Sequence, residues 1–275
     1  MPQPVLSAGP AAIPALGFGT WPLSPEEAER MVGLALAEGY RHVDTARMYG
    51  NEAGVGRALA AAAAPRADVF VTTKIWPDDH APDRLRAAAE DSLRTLGLDA
   101  VDLMLLHWPS RDVPFEATLP ALLRLAEDGL ARHVGVSNFT RAQMPLAQRL
   151  AGGALVCNQV EFHPFLDQSA LIAEAAALGL AVTAYRPLGK GDVAGAAAMR
   201  EIAEAHGSTP AAVSLAWILA KGAGALPKTA TPARLAENLS ALELTLSAED
   251  VARIDALARL DGRAVNPEGI APDWD

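Results

Sequence analysis

Four side chains that can exchange a proton, or stabilise one, stand near the ends of short apolar runs in distant parts of this chain. They are Asp44 and Tyr49 in GYRHVDTARMYGNE, Lys74 in VFVTTKIW and His107 in VDLMLLHWP. A carboxylate, a phenol, an ammonium and an imidazole can together deliver a proton to an oxygen atom and stabilise negative charge on it. Their positions therefore predict a proton-transfer site.

The chemistry that this set permits is the reduction of a carbonyl, which places a hydride on carbon and a proton on oxygen. A free tyrosine is a weak acid with a pKa of about 10, and a neighbouring ammonium stabilises its phenolate. We therefore expect Lys74 to lower the pKa of Tyr49 towards the working pH, with Asp44 holding the lysine in place. His107 would direct an N–H at the carbonyl oxygen and stabilise the charge that develops there.

Each of the four residues also has an ordinary structural explanation. An aspartate at a strand end often caps a helix or pairs with a cation, and a lone tyrosine often anchors a loop. A histidine is often satisfied in the core, and a lysine is usually solvated. We prefer the joint hypothesis because all four groups stand at matched strand ends, which chance rarely produces.

Short apolar runs alternate with longer helical patterns along the chain. The candidate strands cover residues 16–19, 42–44, 69–73, 102–106, 133–136, 156–160, 181–184 and 225–226. Eight strands that alternate with helices predict an α/β fold with a parallel sheet, and eight such units can close into a (β/α)8 TIM barrel of about 250 residues. We expect a single domain over residues 1–275.

Residues just past the strand ends converge on one mouth of such a barrel. In this arrangement Asp44 follows strand two and Tyr49 opens the next helix. Lys74 ends strand three and His107 ends strand four. The barrel therefore predicts that residues from three distant segments meet.

Several boundaries carry clear signals. In SPEEAERMVGLALAEG, Ser24 is an N-cap, Glu27 stands three residues later and Gly39 ends the pattern. The opening PVLSAGPAAIPALGF predicts an N-terminal β-hairpin, joined at Gly9-Pro10, that caps the bottom of the barrel. Two patterns, DVAGAAAMREIAEAHG and TPAAVSLAWILAKG, predict an extra helix before the last strand. The closing NPEGIAPDWD has no periodicity and predicts a loop over one face.

The composition excludes several classes of partner. The 275 residues carry a net charge of −10 and a pI of about 5.1, which argues against nucleic acids and anionic membranes. No run approaches the ~18 apolar residues that span a bilayer, and no signal peptide is visible. The single cysteine, Cys157, cannot form an internal disulfide, and its apolar setting is typical of an inert thiol. We expect a cytoplasmic monomer.

The motifs around these residues resemble those of the aldo-keto reductase superfamily. GFGTW, GYRHVDTARMYGNE, TTKIW, LMLLHWP, VGVSNF, NQVEFHP and ALPKTATPARLAEN occur in the family's order. The closing PEGIAPDWD and the length resemble the bacterial 2,5-diketo-D-gluconate reductase branch. The resemblance implies an NADPH-dependent reduction of aldehydes and ketones. It makes Tyr49 the general acid, with Asp44 and Lys74 as its tuning pair, and His107 the residue that orients the substrate.

The GxGxxG fingerprint of the usual dinucleotide fold is absent. The cofactor site is expected near the last strands, because barrels often bind phosphate after strands seven and eight. Lys228, Thr229 and Arg234 follow strand eight, where two cations, a hydroxyl and helix N-terminal amides could bind a phosphate. Only NADPH carries a ribose 2′-phosphate, so this anchor favours NADPH over NADH. In similar proteins the matching residues bind that phosphate, and the residues that match Glu237 and Asn238 contact the adenine.

Polar residues after strands five to seven are expected at the nicotinamide. By resemblance, Ser137, Asn138 and Gln159 hold the carboxamide and Tyr185 stacks on the ring, although each could simply cap a loop. The glycine cluster LGKGDVAG could fold over the pyrophosphate or form an ordinary turn, and we favour the cofactor role. The other predicted cofactor contacts are Gly19, Thr20, Asp44, Arg186, Pro187, Leu188 and Lys190.

Two positions depart from the family pattern. Arg186 stands where a small residue such as serine is common, and Lys190 stands where another serine often occurs. Both could add positive charge near the pyrophosphate, but no hydroxyl contact is carried over to them.

Three tryptophans lie next to the motifs in sequence and are expected to line the substrate site. They are Trp21, Trp76 and Trp108, which would surround the substrate together with Tyr49 and His107. An ordinary core position is equally compatible with Trp76. The segment WPSRDVPFEAT and the C-terminal tail are short, so we expect an open site. Such a site suits small polar carbonyls such as 2,5-diketo-D-gluconate, methylglyoxal or similar aldehydes.

Three other functions are compatible with parts of the pattern. Lys74 could form a Schiff base, as in barrel aldolases, although Asp44 should keep its amine charged. A metal site is not expected, because His42, His107 and His163 lack paired ligand spacing. A regulatory subunit that binds NADPH without catalysis is disfavoured by the intact set of four residues.

Overall fold

A parallel sheet of eight strands forms the centre of the protein in this computed structural model, which describes residues 3–275. The strands in these residues are β1 (Val5–Ala8), β2 (Ala11–Pro14), β3 (Phe18–Gly19), β4 (His42–Asp44), β5 (Phe70–Ile75), β6 (Val101–Leu106), β7 (Ala131–Ser137), β8 (Leu155–Glu161), β9 (Ala181–Tyr185) and β10 (Gly224–Leu226). From β3 to β10 each strand is parallel to the next. A parallel bridge between Leu16 and Ala225 joins the two ends of the sheet. The predicted (β/α)8 barrel is confirmed.

The N-terminal hairpin closes the amino end of the barrel. β1 and β2 are antiparallel, and Gly9 takes the left-handed backbone conformation at their turn, with a φ of 54°. Ile13 of the hairpin belongs to a buried cluster with Leu103 and Leu105 of β6. Those two leucines alternate along β6 with Met104, which joins the outer core beneath the helices. The predicted hairpin is therefore confirmed.

Helices connect the strands and cover the outside of the barrel. Among the described residues they are α1 (Pro25–Glu38), α2 (Glu52–Ala61), α3 (Pro82–Leu96), α4 (Phe115–Glu127), α5 (Gln143–Leu150), α6 (Ser169–Ala177), α7 (Ala197–Ala205), α8 (Pro210–Ala220), α9 (Ala233–Leu239) and α10 (Ala248–Asp255). The Ser24 side chain caps α1, with Glu27 completing the capping box and Gly39 ending the helix in the left-handed conformation. Two helices, α7 and α8, precede β10, so the extra helix is present.

One helical pattern begins later than the sequence indicated. The DVAGAAAMREIAEAHG segment becomes α7 only at Ala197, because residues Gly189–Gly195 form a 3-10 turn. Lys190 and Gly191 take positive φ angles of 58° and 101° in this turn, which no continuous helix can contain. The glycine cluster is therefore a bent connection after β9.

Two glycines allow α2 to pack closely on its neighbours. A Cβ atom at Gly54 would lie 1.9 Å from the carbonyl oxygen of Pro25, and one at Gly56 would lie 2.3 Å from that of Leu96. These approaches bring α2 against α1 and α3 and fix the start of α2, which follows the Tyr49 turn. Close packing of helix backbones therefore supports one side of the site.

The C-terminal tail crosses the barrel without regular structure. The backbone amides of Ala264 and Val265 donate to Oε1 and Oε2 of the buried Glu161, at 2.9 Å each. At the far end, the Asp275 carboxylate accepts the amides of Arg141 and Ala142 at 3.1 and 2.8 Å. The predicted loop is thus held at both ends. Within residues 3–275, no helix has both the length and the apolar character needed to cross a membrane.

Candidate active site

The structure brings Asp44, Tyr49 and Lys74 into direct contact. Lys74 donates from Nζ to Asp44 Oδ1 at 2.5 Å and to the backbone carbonyl of Thr45 at 2.9 Å. The same Nζ atom lies 3.4 Å from the Tyr49 hydroxyl oxygen. The contacts arise because β4 and β5 are neighbouring parallel strands, so their carboxyl ends meet at one edge.

The ammonium of Lys74 is buried completely and remains charged. Burial alone opposes the charge, but the Asp44 carboxylate and the Tyr49 hydroxyl outweigh that effect, so the pKa of Lys74 lies above its usual value. Lys74 lies one residue before the end of β5 and does not end the strand, because Ile75 continues the pairing with β6. The positive charge of Lys74 therefore lies inside the barrel wall.

Tyr49 lies in a 3-10 turn, Arg47–Tyr49, and does not open α2, which begins at Glu52. The expected direction of its pKa shift is also wrong. Burial around the hydroxyl group raises the pKa of Tyr49, and the positive charge of Lys74 offsets only part of that rise. The phenol is consequently protonated at neutral pH and is a proton donor as it stands.

The His107 ring packs edge-on against the Tyr49 ring. Its ring centroid lies 5.6 Å from that of Tyr49 and 5.1 Å from that of Trp76. Burial, with contributions from the charges of Lys74 and His80, holds the pKa of His107 well below its usual value. The imidazole is neutral at physiological pH, so it can donate one N–H without carrying a positive charge.

A buried amide that the sequence analysis did not single out supports the Tyr49 turn. Asn51 donates from Nδ2 to the carbonyls of Thr20 and Leu23 at 3.1 and 3.0 Å, and its Oδ1 accepts the Thr45 hydroxyl at 2.9 Å. These bonds tie the loop after β3 to the turn after β4. The GNE motif was the only sequence signal for this role of Asn51. An asparagine just before a predicted helix more commonly serves as the N-cap of that helix.

The predicted nicotinamide residues form one connected network. Gln159 donates from Nε2 to Asp44 Oδ2 at 2.7 Å. The Ser137 hydroxyl donates to the Gln159 carbonyl at 2.8 Å. Asn138 takes a positive φ of 62°, donates from Nδ2 to the His107 carbonyl at 3.0 Å and accepts the Tyr185 hydroxyl at 2.7 Å. The ends of β7, β8 and β9 are thereby joined to Asp44 and His107.

The predicted phosphate residues surround the turn after β10. Thr229 is buried, and its Oγ1 atom accepts the Thr231 amide at 2.9 Å. Lys228 is half-buried and Arg234 is exposed. Two amides at the start of α9 are already engaged, because those of Arg234 and Leu235 donate to the carbonyls of Thr231 and Pro232, at 3.1 and 2.9 Å. Lys228, Thr229 and Arg234 stay the candidate phosphate-binding groups, although the Thr229 hydroxyl also donates to the Thr231 carbonyl at 3.2 Å.

The other predicted cofactor residues lie along the same rim. Gly19 and Thr20 are buried, and the Gly19 amide donates to the Pro227 carbonyl at 3.0 Å. Arg186 takes a positive φ of 50°, and in the described chain its Nη1 atom is buried without a hydrogen-bond partner. Pro187 is buried, Leu188 and Glu237 are half-buried, Asn238 is buried and Lys190 is exposed.

The three predicted tryptophans occupy different positions. Trp21 is 43% exposed and its ring centroid lies 5.1 Å from that of Tyr49. Trp76 is half-buried beside His107. Trp108 is buried and packs edge-on against Trp274 of the tail, with centroids 6.2 Å apart. Trp21 and Trp76 therefore border the mouth directly, whereas Trp108 supports the tail that covers it.

A groove of about 470 Å³ lies on the outer side of the Tyr49 turn. Its lining includes three aspartates, Asp78, Asp79 and Asp91, together with Arg47, which pairs with two of them. This acidic groove disfavours an anionic ligand. The mouth above Lys74 is the better place for a phosphorylated cofactor and its substrate.

The remaining candidate groups have structural partners. Cys157 is buried, and burial raises the pKa of its thiol to about 12, which fits an inert residue. His163 contacts Glu161 Oε1 through Nε2 at 3.0 Å. Among the described residues, no cluster of three or more His, Cys, Asp or Glu side chains could hold a metal ion. The tail residues Arg263 and Trp274, which the sequence analysis did not select, stack at 3.5 Å beside the mouth.

Comparison with known proteins identifies relatives over nearly the whole chain. A model of the aldo/keto reductase family matches residues 15–259. The methylglyoxal reductase DkgB of Escherichia coli O157:H7 is 40% identical over 267 residues, which are 96% of this chain and 100% of that protein. An aldo-keto reductase of Mycobacterium sp. (strain KMS) is 40% identical over 258 residues, covering 94% of this chain and 93% of its own.

Solved structures agree with these matches. A crystal structure provisionally assigned as a 2,5-diketo-D-gluconic acid reductase B has a TM-score of 0.97 and 46% identity, and the match covers 100% of this chain and 98% of that one. A variant of Gox0644 crystallised in complex with NADPH has a TM-score of 0.89 and 36% identity, with 97% of each chain covered. Both similarities extend over the barrel and its connections.

Proposed function

Because this chain belongs to the aldo/keto reductase family, we propose that it reduces aldehydes and ketones to alcohols with Tyr49 as the proton donor. The chain is an oxidoreductase. The contacts between side chains at the barrel mouth support the roles proposed for its residues. The observation that supports Tyr49 most strongly is the buried ammonium of Lys74, which contacts both Asp44 and the Tyr49 hydroxyl group.

The protonated state of Tyr49 suits the reductive direction. Its phenol holds a proton at neutral pH because burial raises its pKa. When that proton passes to the substrate oxygen, the phenolate left behind lies 3.4 Å from the Lys74 ammonium. A cation at this distance in a buried site stabilises the phenolate by several kcal/mol at most. Lys74 therefore stabilises the phenolate that forms when Tyr49 has given up its proton.

His107 and Asp44 have supporting roles in this mechanism. The neutral imidazole of His107 orients the carbonyl by donating one N–H to its oxygen. Asp44 neutralises Lys74 and is itself held by the Gln159 amide. The positive charge of Lys74 is thus balanced in the resting site. That balance keeps a cation close without the cost of an unpaired buried charge.

NADPH is the cofactor, and it supplies the hydride. The residues along the rim fit a dinucleotide: Lys228, Thr229 and Arg234 provide two cations and a hydroxyl for the 2′-phosphate, and Arg186 offers a buried Nη1 atom that has no partner in the described residues. Ser137, Asn138, Gln159 and Tyr185 would hold the nicotinamide. The other rim contacts are Gly19, Thr20, Asp44, Pro187, Leu188, Lys190, Glu237 and Asn238.

Small polar carbonyls are the substrates that this mouth fits best. Trp21 and Trp76 border it, and Trp108 supports the tail from below. The relatives named for methylglyoxal and for 2,5-diketo-D-gluconic acid support the same class. We therefore propose methylglyoxal, 2,5-diketo-D-gluconate and similar aldehydes and ketones as substrates.

We also propose that residues 1–275 form one domain that works as a monomer in the cytoplasm. The free thiol of Cys157 supports a reducing compartment. The large apolar side chains that are exposed in the described residues are few: Val5, Trp21, Leu34, Met48 and Leu260.

An absorbance assay of reduced nicotinamide tests this function. NADPH and NADH are compared as hydride sources with glyoxals, sugar acids and aromatic aldehydes. We expect consumption of NADPH with at least the glyoxals and aldehydes, and slower consumption of NADH. If borohydride trapped a covalent adduct of Lys74 with a carbonyl compound, and no NADPH were consumed, the chain would act as a Schiff-base enzyme instead.

A further inference from the structure

A buried carboxyl group that the proposed mechanism does not use follows the Tyr49 turn. Glu52 is the first residue of α2, three positions after Tyr49. It is only 4% exposed, whereas Glu26 in the first turn of α1 is exposed to solvent. A carboxylate in the first turn of a helix is favourable at the surface, but its burial costs free energy. Burial accordingly raises the pKa of Glu52, and the group requires a hydrogen-bond partner.

That partner is the residue directly before Lys74. Thr73 donates from Oγ1 to Glu52 Oε1 at 2.6 Å, and both side chains are buried. The distance is typical of a bond from a hydroxyl group to a carboxylate. Thr73 and Lys74 point to opposite faces of β5, because side chains alternate along a strand. Lys74 contacts Asp44 inside the barrel, so Thr73 meets Glu52 on the outer face of the same strand.

This bond connects the two segments that carry the proposed proton donor and its cation. The Tyr49 turn leads into α2, and Lys74 belongs to β5. Asn51 ties the turn to the loop after β3, and Glu52 ties the start of α2 to β5. Two ion pairs of Arg47 also reach from the turn to later segments, but they are partly exposed, and such pairs contribute little. The buried bond therefore holds the turn against β5 more firmly than they do.

We propose that Glu52 is a positioning residue, which keeps the Tyr49 hydroxyl group close to the Lys74 ammonium through its hydrogen bond with Thr73. The proposal rests on the proposed function, in which Tyr49 gives its proton to the substrate oxygen. Without the bond, the separation of 3.4 Å between Lys74 Nζ and the Tyr49 hydroxyl oxygen would widen. The attraction between a cation and a phenolate weakens with distance, which raises the pKa of Tyr49 by about one unit for each ångström.

Three variants test the bond through turnover of an aldehyde with NADPH. Thr73→Val removes the donor with little change of shape, and Glu52→Met removes the acceptor. For both we expect kcat to fall about tenfold or more, because a small displacement of a catalytic group is costly. KM and the Kd for NADPH should change less than about twofold, since the contacts with substrate and cofactor stay in place. Glu52→Gln keeps an acceptor oxygen for Thr73 and should retain at least about half of the wild-type kcat.

The ionisation of Tyr49 provides a readout that does not depend on turnover. The phenolate absorbance of Thr73→Val, minus that of the same protein with Tyr49→Phe, should appear at a higher pH than in the wild type, by up to about one unit. When Lys74→Met is already present, Thr73→Val should cause no further shift, because the cation whose distance it changes is gone. Thr73→Val is nearly isosteric, so it tests the bond even if Glu52→Met does not fold.

Asp102 offers a matched control on the same strand. Its carboxylate is also buried, with the residue 3% exposed, and its Oδ2 atom accepts the amide of Val71 in β5 at 2.9 Å. Val71 lies at the opposite end of β5 from Lys74. Asp102→Asn therefore removes a buried charge that supports β5 without touching the Tyr49 turn. We expect a lower Tm, with the ionisation of Tyr49 and kcat unchanged at temperatures where the variant is folded.

Three results would overturn the proposal. A wild-type kcat and an unshifted Tyr49 ionisation in Thr73→Val would show that the bond does not position the turn. A loss in Glu52→Gln as large as that in Glu52→Met would assign the effect to the charge and not to the bond. The same shift of Tyr49 ionisation in Asp102→Asn would show that any loss of buried charge at β5 loosens the site. If the wild-type enzyme consumed no NADPH with any aldehyde, the proposed function would fail, whereas the ionisation of Tyr49 in Thr73→Val would still decide whether the bond holds the turn.

Discussion

The Nζ atom of Lys74 lies 3.4 Å from the hydroxyl oxygen of Tyr49, although the two residues are 25 positions apart in the chain. The lysine is completely buried, and its charge is balanced by Asp44 at 2.5 Å. The neutral phenol can donate its proton, and the ammonium beside it can stabilise the phenolate that results. The pair is therefore the physical basis of the proposed proton transfer.

The Asp44–Lys74 ion pair should be strongly coupled. Asp44→Asn leaves a buried ammonium without its counter-charge, and we expect the free energy of unfolding to fall by about 3–5 kcal/mol. The double variant Asp44→Asn with Lys74→Met should lose less than the sum of the two single losses. Denaturant unfolding of the four proteins provides this cycle.

An exposed ion pair is the control for that cycle. Arg57 and Glu29 pair at 2.7 Å on the surface, and Glu29→Gln should cost below about 1 kcal/mol. Strictly additive losses at Asp44 and Lys74 would mean that the two residues do not stabilise each other.

Tyr49 should ionise only in strongly alkaline solution when no ligand is bound. Burial raises its pKa above the usual 10.0, and Lys74 offsets part of this rise. The phenolate absorbance of the wild type minus that of Tyr49→Phe should therefore appear only above pH ~10. In Lys74→Met it should move higher still, because the positive charge is gone. A phenolate that formed near neutral pH would show that Lys74 outweighs burial.

The barrel could be predicted from sequence because buried parallel strands appear as short apolar runs between helical patterns. The strand end that was placed furthest too early illustrates the limit. Residues 69–73 were selected for strand three, but β5 continues through Lys74 to Ile75. A lysine normally indicates solvent, and only the partner Asp44 on the neighbouring strand makes its burial possible.

The convergence of Asp44, Tyr49, Lys74 and His107 could be predicted because the carboxyl ends of barrel strands meet at one mouth. The direction of the Tyr49 pKa could not, since it depends on how much burial surrounds the hydroxyl group. The stacking of Arg263 on Trp274 also could not be predicted from the sequence. The tail has no periodicity, and its course is set by the Glu161 carboxylate, which binds two backbone amides from about a hundred residues away, with separations of 103 and 104.

Arg234 should distinguish the two nicotinamide cofactors. Its guanidinium is exposed after β10, beside Lys228 and Thr229. Arg234→Ala removes the proposed partner of the 2′-phosphate, so we expect the Kd for NADPH to rise about 10–100-fold. The Kd for NADH should change less than about twofold. Fluorescence titration measures both.

Arg253 pairs with Glu201 away from the mouth and provides the control for Arg234→Ala. Arg253→Ala should leave both Kd values unchanged. If Arg234→Ala weakened NADH and NADPH by the same factor, the arginine would contact a part that the two cofactors share.

The tail should detach in acid. Burial opposes the ionisation of Glu161, but the bonds from His163 and from the amides of Ala264 and Val265 outweigh it, so the pKa of Glu161 lies below its usual value. A depressed carboxyl pKa adds stability that is fully present above the unfolded value of about 4.3 and is lost as the pH falls through the folded value. The free energy of unfolding should decline in this window.

Glu161→Gln tests the origin of that decline. At neutral pH the variant should be less stable by about 1–3 kcal/mol, and its acid decline should be shallower than that of the wild type. Glu268→Gln changes an exposed carboxylate of the same tail and should behave as the wild type. A Glu161→Gln variant with an unaltered acid decline would assign the effect to other groups.

The most direct test of the account is the turnover of Tyr49→Phe with NADPH and a simple aldehyde, measured together with its Kd for NADPH. The phenyl ring keeps the packing against Trp21 and His107 and removes only the proton. We expect turnover to fall by about 10²–10⁴-fold, the range for a lost general acid, while the Kd for NADPH stays within about twofold. A variant that still reduced the aldehyde at nearly the wild-type rate would contradict Tyr49 as the proton donor.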